Sequence, residues 1–129
     1  ELVELGLEKN IRGWRGDRQL TEAHLEMVKE LYLYGKQLTE VPKGLEKLTQ
    51  LTRLNLGDNQ LTDVKGLEKL TQLTSLDLSY NKLTDVKGLE KLTKLERLVL
   101  MYNPDLTKAQ MAELKKALPK CKISSNATK

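Results

Sequence analysis

The sequence predicts an α/β solenoid: a parallel sheet on the concave face, short 3₁₀ or turn segments on the convex face, and helical caps at both ends. Three observations lead there. Leucine supplies 28 of the 129 residues, against six Val, two Ile, four Tyr, one Trp and no Phe. A core built from one branched side chain is what a single packing layer, used repeatedly, produces. The heptapeptide KGLEKLT at residues 43–49 recurs at 65–71 and at 87–93, a spacing of 22. After each copy the apolar residues alternate, which is the pattern of a short, half-buried strand. A chain of this length makes one domain, 1–129, because two halves would each be too small for a core.

The elements follow in order. Residues 1–27 read as an N-terminal helical cap. Leu2, Val3, Leu5 and Ile11 share one side of a short helix, and residues 12–19 form a polar loop. Residues 20–25 then start a second helical turn. Trp14 sits in that loop beside Arg12, Arg15 and Arg18, a set that suits nucleic acid or an acidic peptide. Covering the open end of the core is the simpler role, and it is the one expected.

Residues 28–106 hold four repeats. Three carry the full frame L-x-x-L-x-L-x-x-N: Leu51, Leu54, Leu56, Asn59; Leu73, Leu76, Leu78, Asn81; Leu95, Leu98, Leu100, Asn103. A poorer first copy reads Val28, Leu31, Leu33, with Lys36 in place of Asn. The strands therefore fall near 31–33, 54–56, 76–78 and 98–100, and they can pair in parallel with Leu inward. The return path places Leu61, Val64, Leu67 and Leu70, then Leu83, Val86, Leu89 and Leu92, at three-residue spacing, which suits 3₁₀ turns. Gly44, Gly66 and Gly88 fall where that path must turn. Asn59, Asn81 and Asn103 follow each strand and are read as a structural ladder, buried amides that satisfy backbone groups of adjacent repeats.

Residues 107–123 form the C-terminal cap. Thr107 and Gln110 have capping-box spacing. Ala109, Met111, Ala112, Leu114, Ala117 and Leu118 then give an amphipathic helix, which Pro119 stops. Residues 121–123 add a last strand, with Cys121 a small buried residue and not a nucleophile. Residues 124–129 read as a flexible tail, and their Asn126-Ala127-Thr128 sequon is too short a signal to use.

These frames resemble the leucine-rich repeat family, in the 22-residue form of bacterial internalin-like proteins. The two-step N-terminal segment and the ALPKCKI at 117–123 also resemble the caps of such chains. The resemblance covers about residues 20–123. It implies a leucine-rich repeat solenoid that acts as a non-catalytic protein–protein interaction module, recognising a protein or peptide on its concave sheet. A regulatory or targeting fragment of a larger bacterial enzyme or sensor is the alternative, and a self-packing structural role is a third.

Strand alternation selects the exposed concave residues: Glu30, Tyr32, Tyr34 and Gln37; Arg53, Asn55, Gly57 and Asp58; Ser75, Asp77, Ser79 and Tyr80; Arg97, Val99, Met101 and Tyr102. All four tyrosines fall on this surface. Tyr and Arg are enriched at binding hot spots, so Tyr32, Tyr34, Tyr80, Met101 and Tyr102 form the expected contact set. Arg53, Asp58, Asp77 and Arg97 are expected to steer. On the convex side Lys43, Lys65 and Lys87 and the Glu-Lys pairs at 46–47, 68–69 and 90–91 hardly vary, which reads as self-balancing solvated charge.

Composition narrows function further. The single Cys121 excludes an internal disulfide and a cysteine zinc site. His24 is the only histidine, and no Gly-rich phosphate loop appears. Asp58 and Asp77 fall on adjacent strands within reach of one another, but an open sheet offers neither a raised pKa nor the six to eight oxygens that calcium takes. Catalysis, cofactor and metal are therefore not expected. The net charge of +4 divides unevenly: residues 1–107 carry 16 basic and 17 acidic side chains, residues 108–129 six and one. With its positive excess confined to the C-terminal cap and tail, the chain lacks the basic stripe of a nucleic-acid binder. No apolar run approaches a membrane span. A monomer binding an unidentified protein or peptide is expected. The lack of disulfides allows a cytoplasmic location, and loss of a signal peptide would equally allow a secreted or cell-surface one.

Overall fold

A computed structural model describes residues 25–129. Of the N-terminal cap expected over residues 1–27, residues 1–24, with Trp14, lie outside the described residues. Five three-residue strands make one parallel sheet in sequence order: β1 (Glu30–Tyr32), β2 (Arg53–Asn55), β3 (Ser75–Asp77), β4 (Arg97–Val99) and β5 (Lys122–Ser124). The register aligns Leu31, Leu54, Leu76, Leu98 and Ile123 across the sheet. Pairing continues past each strand, since the Leu33, Leu56, Leu78 and Leu100 amides donate to Asn55, Asp77, Val99 and Ser124 carbonyls. Hence both leucines of each L-x-L segment point inward and are buried.

Leu31 and Leu54 are 23 residues apart, one more than the later repeats. The extra residue is Pro42, between Val41 and Lys43, where later repeats run Val-Lys directly. It lies in the return segment, so the strand register survives.

Each return segment holds one 3₁₀ turn: Leu45–Lys47, Leu67–Lys69 and Leu89–Lys91. Gly44, Gly66 and Gly88 precede them at φ 93°, 100° and 107°, a left-handed conformation that a Cβ would oppose. Each of these glycine amides donates to a carboxylate two residues on: Gly44 to Glu46 (2.9 Å), Gly66 to Glu68 (2.9 Å), Gly88 to Glu90 (2.8 Å). The repeated glutamates are therefore more than solvated charge; they tie off the start of every 3₁₀ turn. Leu45, Leu67 and Leu89 then enter the core from this side and Leu48, Leu70 and Leu92 close it, all fully buried.

Helix α1 (Lys108–Ala117) covers the C-terminal end of the core with Met111 and Leu114. Thr107 and Gln110 form a reciprocal capping box, the Thr107 hydroxyl accepting from the Gln110 amide at 3.1 Å and Gln110 Oε1 accepting from the Thr107 amide at 2.8 Å. Lys115 and Lys116 in the last turn complement the helix dipole. The sequence predicts the last strand over 121–123 and a flexible tail from 124. In the structure the strand is shifted one residue, to Lys122–Ser124. Beyond it, Asn126 Oδ1 accepts from the Tyr102 amide at 2.8 Å and Lys129 Nζ lies 3.7 Å from Asp105. Among the described residues no helix is long and apolar enough to cross a membrane.

Candidate functional site

The concave face is a grid whose rows are set by register. Strands repeat about every 4.8 Å across it and side chains about every 6.6 Å along it. The first row reads Glu30, Arg53, Ser75, Arg97, Lys122, and the second Tyr32, Asn55, Asp77, Val99, Ser124. Two residues further along lie Tyr34, Gly57, Ser79 and Met101, and after them the turn positions Gly35, Asp58, Tyr80 and Tyr102.

Behind these turn positions the asparagines are buried. Asn81 Nδ2 donates to the Leu56, Leu78 and Ser79 carbonyls at 3.0, 3.1 and 3.2 Å, and its Oδ1 accepts from the Leu61 amide at 3.0 Å. Asn59 and Asn103 repeat the arrangement one layer away on each side. Each carboxamide thus joins two repeats and fixes the bend that presents the turn row. In the first repeat, which has Lys36 there, Asn59 Oδ1 takes both the Lys36 and the Leu38 amides.

The first row is basic. Arg53 and Arg97 are exposed on either side of Ser75, and Lys122 extends the row onto β5. Arg53 Nε lies 3.9 Å from Glu30 Oε1, and the Tyr32 hydroxyl donates to Glu30 Oε2 at 3.2 Å. Lys122 is absent from the expected set; only the register that carries the row into the cap strand reveals it.

The second row is largely occupied by its own backbone. Asn55 Oδ1 accepts from the Gly57 amide at 2.8 Å. Asp77 Oδ1 accepts from both the Ser79 amide (2.9 Å) and the Ser79 hydroxyl (2.6 Å). Asp77, expected to steer a partner, is thus turned onto its own strand, and Ser79, expected to be exposed, is buried. Asp77 stands beside Asn55 in the register and not beside Asp58, so the two aspartates form no pair.

Three of the aromatics gather at this end of the sheet, Tyr34 in the third row and Tyr80 and Tyr102 in the turn row. Tyr34, Tyr80 and Tyr102 are 54%, 51% and 48% exposed, and Met101 is half-buried beside them. The Tyr80 and Tyr102 rings stack with centroids 4.4 Å apart and planes 19° from parallel. Tyr34 Cδ2 lies 3.1 Å from the point where a Cβ at Gly57 would sit, so the missing side chain at Gly57 makes room for that ring. The signal for Gly57 is the strand glycine itself, since glycine inside a strand often marks close approach. Asp58, Tyr80 and Tyr102 adopt φ 52°, 56° and 60°. That conformation is ordinary for Asp and uncommon for a bulky ring. Partial desolvation by neighbouring groups, then the charges of Tyr102, Tyr34 and Asp58, push the Tyr80 phenol above its ordinary value. Elsewhere, burial pushes the Cys121 thiol up, away from thiolate chemistry. Among the described residues no three His, Cys, Asp or Glu side chains converge as metal ligands.

The fold and this surface define a class: short repeats stacked into a solenoid, with a parallel sheet free on one side. Comparison with known proteins gives the family. A leucine-rich repeat model matches residues 26–83, and a two-copy leucine-rich repeat model matches residues 71–115. The chain belongs to the leucine-rich repeat family, and its repeats are of the bacterial internalin-like type. No curated protein sequence matches it. Among solved structures, it resembles a leucine-rich repeat protein of Leptospira interrogans (33% identity, TM-score 0.70), over 82% of this chain and 28% of that one. It also resembles internalin C2 of Listeria monocytogenes (26%, TM-score 0.75), over 95% of this chain and 56% of that one. For the Listeria internalin InlF the figures are 23%, 0.70, 98% and 42%, a likeness of fold alone. The chain thus spans between about a quarter and just over half of these proteins.

Proposed function

We propose that this domain is a non-catalytic interaction module that seats a protein or peptide partner on its concave sheet, between the Arg53–Arg97–Lys122 row and the tyrosine row. One observation carries the reading. The residues that change most from repeat to repeat are gathered on one open face, while the core leucines, the asparagines and the convex heptapeptide stay constant. A surface that varies over a constant frame is free to be shaped by a partner. Its frame is rigid, held by interstrand bonds and the asparagine amides, so little ordering entropy is lost on binding. The open sheet offers a partner several strands at once, which suits a polypeptide better than a small molecule.

Site-specific photocrosslinking tests this. A crosslinker at concave Ser75 should capture a partner, and one at Lys94, which contacts Gln72 on the return path, should not. Tyr34→Ala and Tyr102→Ala should reduce capture at position 75 while circular dichroism stays native. Capture from position 94 alone, or capture unaffected by both folded variants, would overturn the concave assignment.

A further inference from the structure

We infer that the corner formed by Tyr34, Asp58, Tyr80 and Tyr102 is a receptor for an arginine side chain of the partner. This rests on the concave-face reading and adds the chemistry of one contact. Asp58 and Tyr80 occupy equivalent turn positions on neighbouring repeats, about 4.8 Å apart, and Tyr102 continues the row. Asp58 and Tyr80 are locked there by their amides, which donate to Ser79 and Met101 carbonyls at 2.9 Å. Tyr34 leans over Gly57, next to Asp58. The result is an exposed carboxylate, its Oδ2 3.6 Å from where a Cβ at Gly35 would sit, with half-exposed Tyr34 on the repeat before it and the stacked Tyr80 and Tyr102 on the two repeats after it.

Charge selects the ligand class. No basic side chain among the described residues forms an ion pair with Asp58. Lys36, exposed beside Gly35 in the neighbouring turn with its amide on Asn59 Oδ1, forms no ion pair with that carboxylate, and the row of cations through Arg53 begins five residues earlier on the strand, about 16 Å away. An apolar side chain seated on the rings would strip water from Asp58 and leave its charge unpaired, which is unfavourable. A cation satisfies both features, since aromatic faces attract it within about 6 Å and the carboxylate pairs with it. Arginine fits better than lysine. Its planar guanidinium stacks on a ring while its edge donates two parallel hydrogen bonds to a carboxylate. The chain as a whole carries +4, so general electrostatics disfavours a basic ligand and binding has to be local.

Backbone conformation adds a second, independent pointer. At the equivalent turn position the first repeat has Gly35 at φ 68°, and the second has Asp58. Tyr80 and Tyr102 hold rings where glycine or a small polar residue fits with less strain. Strain of this kind collects at binding sites.

The probe is the peptide acetyl-Gly-Arg-Gly-Arg-Gly-amide, with its citrulline counterpart, which keeps the shape and removes the charge. In NMR titrations of the whole chain, the arginine peptide should shift the ring signals of Tyr80 and Tyr102 and the amide of Asp58, saturating in the millimolar range and weakening with salt. The citrulline peptide should leave them in place. Asp58→Asn, which keeps the left-handed backbone, should weaken binding by about twofold to fivefold, and Glu113→Gln on α1 should not change it. Equal shifts from the citrulline peptide, unchanged affinity in Asp58→Asn, or shifts confined to other acidic residues would overturn the arginine assignment. A partner crosslinked at Ser75 whose contact region lacks arginine would also overturn it, while leaving the concave reading intact.

Discussion

On the convex side the first three repeats make the same contact: Gly44, Gly66 and Gly88 each donate to the glutamate two residues on. On the concave side the equivalent turn row reads Gly35, Asp58, Tyr80 and Tyr102, with no two neighbours alike except the last pair. Both rows are built on left-handed backbone. The convex row answers that requirement with the residue best suited to it, three times over. The concave row places rings there instead, at a conformational disadvantage. Sameness along this chain marks what the backbone needs, and the departure from the locally favourable residue at Tyr80 and Tyr102 falls where the proposed partner would be met.

The largest test of that contrast lies between the two faces, in the asparagine ladder. Asn81→Leu removes a carboxamide that serves three carbonyls and one amide of two repeats. Leucine matches none of them, and each buried group left unsatisfied costs about 1–3 kcal/mol. Urea denaturation should show a loss of at least about 3 kcal/mol, a large share of the roughly 5–15 kcal/mol of a typical domain. A loss below about 1 kcal/mol, the net worth of one ordinary hydrogen bond, would mean that the ladder does not join the repeats.

A smaller effect belongs to the convex glutamates. The Glu46 carboxylate is held below its ordinary value of 4.5 first by its own amide N–H, then by that of Gly44, with Lys69 and Lys47 adding and burial opposing. Its folded pKa is depressed, so its contribution to stability is present above 4.5 and is lost as the pH falls through the lower folded value. Comparing denaturation at pH 7 and pH 3, Glu46→Gln should lose less stability on acidification than the wild type. An identical pH dependence in the two proteins would show that the carboxylate contributes nothing as an anion.

Much of the fold was legible because leucine in a 22-residue frame carries both the repeat and the strand alternation. The Thr107–Gln110 box was legible because a cap is a local device, readable from spacing. What escaped the sequence was mostly a matter of side-chain direction. Asp77 and Asp58 are both aspartates on the same face, yet Ser79 two residues on turns Asp77 onto its own strand, while Gly57 and the left-handed turn leave Asp58 facing out. Glu46, Glu68 and Glu90 look like surface charge beside lysine. Only the three-dimensional turn brings each carboxylate back to the preceding glycine amide. Lys122 belongs to the basic row because β5 continues the register, although its sequence lies in the cap and carries no repeat frame.

The smallest expected change in stability is also the most discriminating. Tyr80→Asn loses the stacking with Tyr102, worth about 0.5–1.5 kcal/mol for an aromatic pair. It also relieves a ring held at φ 56°, where the left-handed backbone costs an ordinary residue roughly 1–2 kcal/mol and asparagine less. The two terms oppose each other, so thermal unfolding should move by less than about 1 kcal/mol in either direction. The same substitution should abolish the arginine-peptide shifts at Tyr102, because one ring cannot reproduce the stacked pair. If Tyr80 instead served the fold, by shielding the sheet end, the asparagine variant would lose stability as a core residue does, about 2 kcal/mol or more. Binding and stability would then fall together. Their separation at this one residue is what the contrast between the two rows requires: a ring at a glycine position gives the fold almost nothing and gives the partner a face to stack on.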